Sequence, residues 1–444
     1  MCFAWFALFL HYDLSYYNTM NNIKLNIKRL GPVADTEIRM APFMIFTGSS
    51  NLGKSYVNFL TYYVMSVFSG NRIAGFLRSK ISDKTAEKKE FSFSFTLNEI
   101  CKWMEQDVKL FFQYLLNYPN VPCEVSFEFE TEIKDFKVRI NELDRLDGIY
   151  GGEMPIIVSK INEEQIFSLK DSKDIINCIS NPISKVLSGI ILEKKRRYTF
   201  LLPPGRASLL NESYSRQAES SKVGMYDIFL RDFDRINNMR NRSVHRIPGS
   251  KSNKKVDSLI NGVLNSTKDG LFLKLNDNTE IPLSAAASSI KELSPFVLWM
   301  QTVGFQHDSM CIEEPEAHAH PEMQYGIADL LAKCVNKGAF IQMTTHSDYL
   351  LARLNQLIKL FDLKKKNSEL YRNISGRLDI DKELPLDKSK IRAYYFSVDK
   401  DNYGVKVEEQ DVTDGIPFST FMNAVKMQMD WDNLYEGDTD YGDL

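Results

Sequence analysis

The sequence lacks the features that mark several classes of protein. Its six cysteines are scattered, with no C-x-x-C pair, which argues against a zinc site and is typical of reduced thiols in a cytoplasm. The formal net charge is only −3, so the overall charge favours neither nucleic acid nor an acidic membrane surface as a partner. The apolar stretch Cys2 to Leu10 is too short to cross a bilayer and lacks the basic region of a secretory signal. We therefore expect a cytoplasmic protein with no membrane partner.

A long coiled coil is also excluded, because no heptad repeat persists along the chain. What remains is an ordinary globular composition, with 43% hydrophobic and 25% charged residues. The length of 444 residues allows two or three domains of usual size. Met20 stands just before the first coherent strand pattern, so we expect residues 1–19 to be an extension without a function of their own.

One stretch, Gly48-Ser-Ser-Asn-Leu-Gly-Lys-Ser55, fits the phosphate-loop pattern G-x-x-x-x-G-K-[S/T] at every fixed position. Apolar Phe43 to Phe46 before it predicts a buried strand, and Tyr56 to Met65 after it predicts a helix. Backbone N–H groups of such a loop and the new helix N-terminus attract phosphate. The alternative is a surface turn that happens to contain two glycines. The predicted ATP-binding residues are Gly48, Ser49, Ser50, Asn51, Leu52, Gly53, Lys54, Ser55 and Tyr56, with Lys54 on the β/γ-phosphates and the Ser55 hydroxyl on Mg²⁺.

A second group of candidate residues lies in the segment Ser309 to Pro321. A short apolar run there ends in two carboxylates, Glu313 and Glu314, which a strand would deliver to the tip of a nucleotide-binding sheet. We predict that Glu313 holds the Mg²⁺ shell through water and that Glu314 polarises the attacking water as general base. Two solvated loop charges are the alternative interpretation.

Histidines are concentrated in the same region. The predicted strand Ala339 to Met343 leads to His346, which is placed to contact the γ-phosphate and report its loss, or is simply structural. His318 and His320 have the i and i+2 spacing of metal ligands, but no Cys or carboxylate completes a tetrahedral set at the usual spacing. Hydrogen bonding across a subunit contact is the favoured interpretation of that pair.

Upstream, Ser289 followed by Glu292 has the spacing of a capping box and predicts a helix that runs through Trp299. A helix N-terminus rich in serine can bind an anion. Beside a phosphate loop, such a helix could hold the γ-phosphate bound by a second subunit, through Ser288 or Ser289.

The remaining chain is less informative. Helical spacing predicts a helix over Leu97 to Leu116, and alternation over Cys123 to Ile140 predicts a hairpin. Arg206, after a strand, either contacts a phosphate or forms a structural ion pair. The segment Arg231 to Lys255 holds eight Lys or Arg against two Asp and suits either a nucleic-acid backbone, a solvated helical arm or a protein-docking surface.

Phosphate loop, serine-led helix, carboxylate strand and strand-end histidine, in that order, resemble the ABC-type ATPase heads of the SMC, RecF and OLD group. One segment that ends at Pro321 is similar to the I-E-E-P-E-x-H-x-H-P motif of OLD-like ATPases in bacterial defence. Its sequence is Cys-Ile-Glu-Glu-Pro-Glu-Ala-His-Ala-His-Pro. Leu202-Pro-Pro-Gly-Arg206 is similar to their L-P-x-x-R segment.

The resemblance implies an α/β fold in which a mixed β-sheet core carries the phosphate loop, with a helical insertion and a small C-terminal α/β segment. It also implies ATP and Mg²⁺ held between two heads of a homo-oligomer, with Ser288 or Ser289 acting in trans and Glu314 driving hydrolysis. The sequence departs from the family in two places. It has no Ser-Gly-Gly signature core, and Glu313 replaces the usual Asp.

The resemblance divides the chain into five parts. The expected parts are an extension (1–19), an N-terminal ATPase lobe with a β-rich subdomain (20–206), a helical, basic insertion (207–276), a C-terminal ATPase lobe (277–365) and a C-terminal segment with an acidic tail (366–444).

OLD nucleases carry a TOPRIM domain after the ATPase, with a short Asp-x-Asp motif. Asp438-Thr-Asp440 matches that motif, but it lies in the acidic tail, so we expect disordered charge there and a separate effector protein. This arrangement is similar to the ATPase subunits of PARIS-type two-gene anti-phage systems. That likeness implies a phage-encoded trigger protein and a TOPRIM-type nuclease as partners. The alternative is a RecF-like DNA-repair ATPase that clamps DNA through Arg231 to Lys255.

Overall fold

The structure is a computed structural model, and it describes residues 23–69, 72–81, 90–143, 156–162, 164–169, 175–192, 196–210, 223–246, 258–267, 270–399, 404–418 and 428–430. The predicted N-terminal extension and the Asp438-Thr-Asp440 motif lie outside these residues.

Three sheets are formed by the described strands. The strands are β1 Ile23–Leu30, β2 Val33–Arg39, β3 Phe43–Gly48, β4 Glu90–Thr96, β5 Cys123–Phe129, β6 Asp135–Leu143, β7 Ile156–Ile161, β8 Glu164–Leu169, β9 Thr199–Leu202, β10 Gly262–Thr267, β11 Gly270–Leu275, β12 Glu280–Pro282, β13 Ser309–Glu313, β14 Phe340–Thr344, β15 Ile391–Val398 and β16 Val405–Gln410. The main sheet has nine strands in the order β5-β1-β2-β16-β15-β3-β14-β13-β9. The smaller sheets are β4-β6-β7-β8 and β10-β11-β12.

The main sheet is mixed, and its parallel half positions the site. Strands β15, β3, β14, β13 and β9 run parallel to one another, whereas β15 pairs antiparallel with β16, and β1 pairs antiparallel with both β2 and β5. The carboxyl ends of β3, β13 and β14 therefore meet at one edge. In open α/β sheets this edge is where ligands bind. The predicted fold class, an α/β protein with a mixed sheet that carries the phosphate loop, is confirmed.

Helices cover both faces of the main sheet. They are α1 Lys54–Ser69, α2 Ile73–Lys80, α3 Leu97–Leu116, α4 Ile175–Ile191, α5 Arg206–Leu209, α6 Gly224–Arg246, α7 Ser288–Met300, α8 Pro321–Lys337, α9 Asp348–Lys366 and α10 Ser368–Arg377. On β3, Met44 and Phe46 pack into the core formed with α1 and α3, and the alternate residues Phe43 and Ile45 pack into the core formed with α7, α8 and α9. Alternating side chains of one strand thus enter two different cores. None of the helices in the described parts of the chain is long and apolar enough to cross a bilayer.

The predicted hairpin over Cys123 to Ile140 is wrong. Its two strands exist, but β5 pairs with β1 in the main sheet, whereas β6 pairs with β4 and β7 in the four-stranded sheet. Both strands bury their alternate apolar residues in the same core, so alternation alone could not identify the partner strand.

Two other parts of the chain are more closely integrated than the sequence suggested. Strand β15 pairs in parallel with β3, so the C-terminal segment supplies a central strand of the ATPase sheet. The expected helical insertion contains α6, whose Phe229, Phe233 and Ile236 are buried in the core with α7, but it also contains the β10–β11 hairpin. The described part of the expected insertion therefore contains two strands in addition to a helix.

Helix α6 also covers the edge of the main sheet. Asp232 is buried, and its carboxylate accepts the backbone N–H of Leu201 in edge strand β9 at 2.9 Å. Burial raises the pKa of Asp232 from 3.8 to about 7, against the opposing effects of Arg235 and of that hydrogen bond. The folded protein thus retains a proton that the unfolded chain releases between about pH 4 and about pH 7. The Asp232 carboxyl therefore lowers the free energy of unfolding as the pH rises from about 4 to about 7.

Replacing Asp232 by asparagine is expected to stabilise the protein at high pH. The amide oxygen still accepts from Leu201, and the cost of a buried charge disappears. We expect the free energy of unfolding to rise by about 2 kcal/mol at pH 8 and to change little at pH 4. Urea unfolding at the two pH values measures this. Asp227→Asn, which removes a more exposed partner of Arg231 on the same helix, is the control without such a gain. A D232N protein less stable than the parent at pH 8 would contradict the argument.

Candidate functional site

The phosphate loop connects β3 to α1. Neighbouring parts of the chain lie so close to Gly48 and Gly53 that a larger residue would not fit at either position. Gly48 has φ 118°, and a Cβ there would lie 2.1 Å from the carbonyl oxygen of Phe396 in the neighbouring strand. Gly53 has φ 86°, and a Cβ there would lie 2.8 Å from both Pro32 and Val33. Only glycine fits both positions without displacing backbone or core side chains. The loop is therefore held by the central strand β15 on one side and by the β1–β2 turn on the other.

Lys54 is the first residue of α1, and its ammonium is folded back into the loop. Nζ donates to the carbonyl oxygens of Gly48 at 3.1 Å and Ser49 at 2.7 Å. The residue is buried, and burial lowers the pKa of Lys54, while the negative charges of Glu314 and Glu313 oppose that shift. A buried cation beside two carboxylates is well placed to receive a polyphosphate.

The other predicted loop residues lie around this ammonium. Ser49, Ser50 and Asn51 are exposed, Leu52 is buried, and Ser55 is half-buried on the first turn of α1. The exposed residues form the rim that a phosphate would approach.

Tyr56 has a packing role in the structure. Its ring stacks on Phe112 of α3, with ring centroids 6.1 Å apart, and lies where a Cβ on Gly31 would be. The side chain is thus occupied in joining α1 to α3 and to the β1–β2 turn.

Glu313 ends strand β13, and its buried carboxylate accepts three hydrogen bonds. Oε2 accepts from Ser55 Oγ at 2.5 Å and from Thr344 Oγ1 at 3.1 Å, and Oε1 accepts from Asn58 Nδ2 at 2.6 Å. Burial raises the pKa of Glu313, and these three hydrogen bonds oppose the shift. The sequence motifs predicted roles for Glu313 and Ser55 but not for Asn58 and Thr344. Asn58 lies one helical turn after Ser55, and Thr344 lies at the end of the strand next to β13. These positions were the only features of the sequence that could have identified them.

The pair Ser55 and Glu313 fits a magnesium ion. A hydroxyl and a carboxylate oxygen, the hard ligands that Mg²⁺ prefers, lie 2.5 Å apart beside the phosphate loop, and Mg²⁺ usually keeps several waters and binds few protein groups. Ser55 and Glu313 would hold the ion, and the ion would supply positive charge that offsets the negative charge of the nucleotide phosphates. In the described residues, no cluster of three or more His, Cys, Asp or Glu could hold a metal by itself.

Glu314 and His346 lie beside each other above this carboxylate. Glu314 has φ 44°, and its N–H donates to the carbonyl oxygen of Thr344 at 3.2 Å, so its backbone departs from the strand conformation but stays bonded to β14. Glu314 Oε1 lies 3.8 Å from His346 Nε2, and both side chains are partly exposed. Burial and the charge of Lys54 lower the pKa of His346, while Glu314 opposes that shift. The structure thus brings together the predicted base and the predicted histidine.

Glu316 is a site residue to which the sequence analysis gave no role. Its Oε1 accepts from Thr345 Oγ1 at 2.7 Å and from the backbone N–H of His346 at 2.8 Å. Burial raises the pKa of Glu316, and these hydrogen bonds oppose the shift. Glu316 therefore fixes the backbone that carries His346.

Glu316→Ala is expected to lower the rate of ATP hydrolysis about tenfold and to leave nucleotide affinity nearly unchanged. The variant releases the backbone at His346 but leaves Lys54 and Ser55 in place, and small misplacements of reacting groups cost rate. Phosphate release and binding of a fluorescent ATP analogue measure the two quantities. Glu322→Ala, an exposed carboxylate on α8, is the matched control, and Glu316→Gln should keep part of the rate because Oε1 still accepts. Full activity of Glu316→Ala would contradict this role.

The predicted capping box at the start of α7 is wrong, although the helix is confirmed. The N-cap is Ala287, and it makes no side-chain capping hydrogen bond. Glu292 is buried and forms an ion pair with Arg206, so it does not reach back to the helix start. Ser288 is exposed and Ser289 half-exposed at the first turn. Arg206 is completely buried, which supports the ion-pair interpretation of this residue and not the phosphate contact.

The described part of the basic segment is largely paired. Arg231 and Arg235 form ion pairs with acidic residues of α6 itself, Asp227 and Asp232. Arg240 is buried, and its guanidinium donates to groups inside the protein. The side chains from residue 242 onward in this segment lie outside the described part of the chain. A free row of cations for a nucleic-acid backbone is thus not found where the segment is described.

His318 and His320 are exposed and flank α8. His318 has φ 60°, and His320 is the N-cap residue immediately before Pro321. Neither contacts the carboxylates of the site in the described hydrogen bonds and ion pairs, and a contact with a second subunit stays a prediction.

Residues 20–351 match the sequence family described as AAA ATPase domain. A search of curated proteins found no significant match.

Similar solved structures include three SMC heads. One is the SmcHead bound to the C-winged helix domain of ScpA (TM-score 0.36, 12% identity, 88% of this chain and 98% of that chain). Another is the SMC head domain from Thermotoga maritima (TM-score 0.33, 10% identity, 88% and 98%). The third is the Smc head domain with an extended coiled coil bound to the C-terminal domain of ScpA, derived from Pyrococcus furiosus (TM-score 0.33, 11% identity, 93% and 99%).

The family match covers most of the chain and includes the phosphate loop, both carboxylates and His346. The chain belongs to the AAA ATPase domain family.

Proposed function

We propose that this protein binds and hydrolyses ATP between two of its copies, and that it is the sensor and scaffold subunit of a two-component anti-phage system. The observation that carries the ATPase part is the meeting of Lys54, Glu313, Glu314 and His346 at the carboxyl edge of the parallel strands. The nucleotide phosphates lie in the loop between β3 and α1, with Lys54 on the β/γ-phosphates.

The chemistry follows from the two carboxylates. Glu313 is buried and held in place by three hydrogen bonds, so in this proposal it would hold the Mg²⁺ shell through water, next to Ser55. Glu314 is partly exposed and lies beside His346, so in this proposal it accepts a proton from the attacking water as general base. His346, anchored through Glu316, contacts the γ-phosphate and reports its loss.

The second copy is inferred from α7. Its first turn carries exposed Ser288 and half-exposed Ser289 without a side-chain cap, so the N–H groups and hydroxyls of these two serines can serve an anion outside the chain. In the proposed assembly these serines complete the pocket of the neighbouring copy.

The defence part rests on sequence resemblance. The segment Cys311 to Pro321 and the segment Leu202 to Arg206 are similar to OLD-like ATPases, and the arrangement is most like AriA, the ATPase subunit of PARIS. Strands β15 and β16, which follow His346, belong to the nine-stranded sheet. In this proposal the effector is a separate TOPRIM-type nuclease, the trigger is a phage protein, and the location is the cytoplasm, where the free thiols of the described cysteines stay reduced.

Purification of the tagged protein from its own cells, before and after phage challenge, tests the defence part. Mass spectrometry is expected to find one bacterial nuclease bound before the challenge and released afterwards. Co-purification of no second bacterial protein in either sample would refute the role as a scaffold. The ATPase part does not depend on that outcome.

A further inference from the structure

A buried ion pair lies between β13, which ends in Glu313, and α7, whose first turn carries Ser288 and Ser289. Arg206 is fully buried, and Glu292 is 1% exposed. Arg206 follows β9, whereas Glu292 lies one turn into α7, three and four residues after Ser289 and Ser288. The pair therefore stands between the two parts of the chain that serve different nucleotide pockets in the proposed assembly.

A single guanidinium makes both connections. Arg206 Nη1 donates to the carbonyl oxygen of Glu313 at 2.8 Å and to that of Pro203 at 3.0 Å. Arg206 Nε donates to the carbonyl oxygen of Glu292 at 2.8 Å and lies 3.1 Å from its carboxylate Oε2. The other carboxylate oxygen, Oε1, accepts the N–H of Ala207 at 3.1 Å. The end of β13 and the first turns of α7 are thus bridged by one rigid, planar group.

The energetics of a buried ion pair indicate that it positions the two elements and does not mainly stabilise the fold. A buried ion pair generally stabilises a fold no more than apolar residues of the same volume, because both charges lose their hydration. Here burial lowers the pKa of Arg206 against the opposing charge of Glu292, and Nη2 has no hydrogen-bond partner among the residues that the structure describes. What the pair supplies beyond apolar packing is a fixed distance between the backbone at Glu313 and α7.

We propose that Arg206 and Glu292 are positioning residues that couple nucleotide binding in a chain's own pocket to the presentation of Ser288 and Ser289 to the partner's pocket. This inference rests on the two-copy ATP site proposed above. Nucleotide that engages Glu313 and Ser55 shifts the end of β13, and the guanidinium passes that shift to the first turn of α7. Since helices move as rigid units, the serines move with Glu292.

The test uses a Glu314→Gln background, in which ATP is bound but not hydrolysed. Into it we introduce the double substitution Arg206→Met and Glu292→Gln, which removes both buried charges and keeps an acceptor for Ala207. We expect the affinity of the monomer for a fluorescent ATP analogue to stay within about threefold, and ATP-dependent self-association in sedimentation velocity to weaken about tenfold or more. A role in folding alone would not separate these two quantities. Arg206→Lys is the second variant, because a point donor cannot bridge both carbonyls, and it is used if the double variant does not fold.

The matched control is the double substitution Arg353→Met and Asp329→Asn, which removes an ion pair between α8 and α9 away from the site. It should leave both quantities unchanged. Self-association of the Arg206 variants at the strength of the Glu314→Gln parent would overturn the inference. If the parent itself does not associate with ATP, the two-copy site is wrong and the coupling inference falls with it.

Discussion

Glu314→Gln is expected to lower steady-state ATP hydrolysis by about a hundredfold or more and to accumulate an ATP-bound assembly. General base catalysis typically contributes a factor of about 10² to 10⁴, and glutamine has the shape of glutamate without its basicity. Binding should survive, because Lys54, Ser55 and Glu313 are unchanged. Phosphate release gives the rate, and sedimentation velocity with and without ATP gives the assembly.

Glu322→Gln is the control for this experiment, since Glu322 is an exposed carboxylate nearby on α8. Only the variant at 314 should separate hydrolysis from assembly. Unchanged hydrolysis in Glu314→Gln would refute its assignment as general base. His346, 3.8 Å away, would then be the next candidate to test.

The parts of the site that could be predicted were those encoded locally. The phosphate loop needs glycine at 48 and 53 because of the backbone angles there, and that requirement is visible in the sequence. Glu313 ends one short apolar strand and His346 follows another, and parallel strands place their carboxyl ends at one edge of the sheet. A linear motif therefore indicated a three-dimensional cluster.

The parts that were missed depend on partners far apart in the chain. Glu292 has the spacing of a capping residue, but a buried arginine 86 residues away attracts its carboxylate more strongly than an exposed helix start does. The strands β5 and β6 alternate as a hairpin would, but each has a different neighbour. Alternation reports which face of a strand is buried and carries no information about its pairing.

Lys54→Ala is expected to lower nucleotide affinity by about a hundredfold, which abolishes hydrolysis at ordinary ATP concentrations. The substitution removes a buried ammonium whose charge-assisted contacts with phosphate contribute about 3 kcal/mol together. Binding of a fluorescent ATP analogue measures the loss, with Lys359→Ala, an exposed lysine on α9, as control. Affinity within a few-fold of the parent would remove Lys54 from the phosphate site.

Lys54→Ala also tests whether the pocket is shared between copies, when it is mixed with a second variant. The second variant is the double substitution Ser288→Glu and Ser289→Glu, which places negative charge at the start of α7, where the helix tolerates it and a γ-phosphate does not. Each of these two variants alone should be inactive. Mixed, they should regain roughly a quarter of the parent's hydrolysis, since half of the dimers formed at random contain both variants and each of those has one intact pocket. A pocket complete within one chain would show no such recovery, because a chain that lacks Lys54 gains nothing from its neighbour's loop.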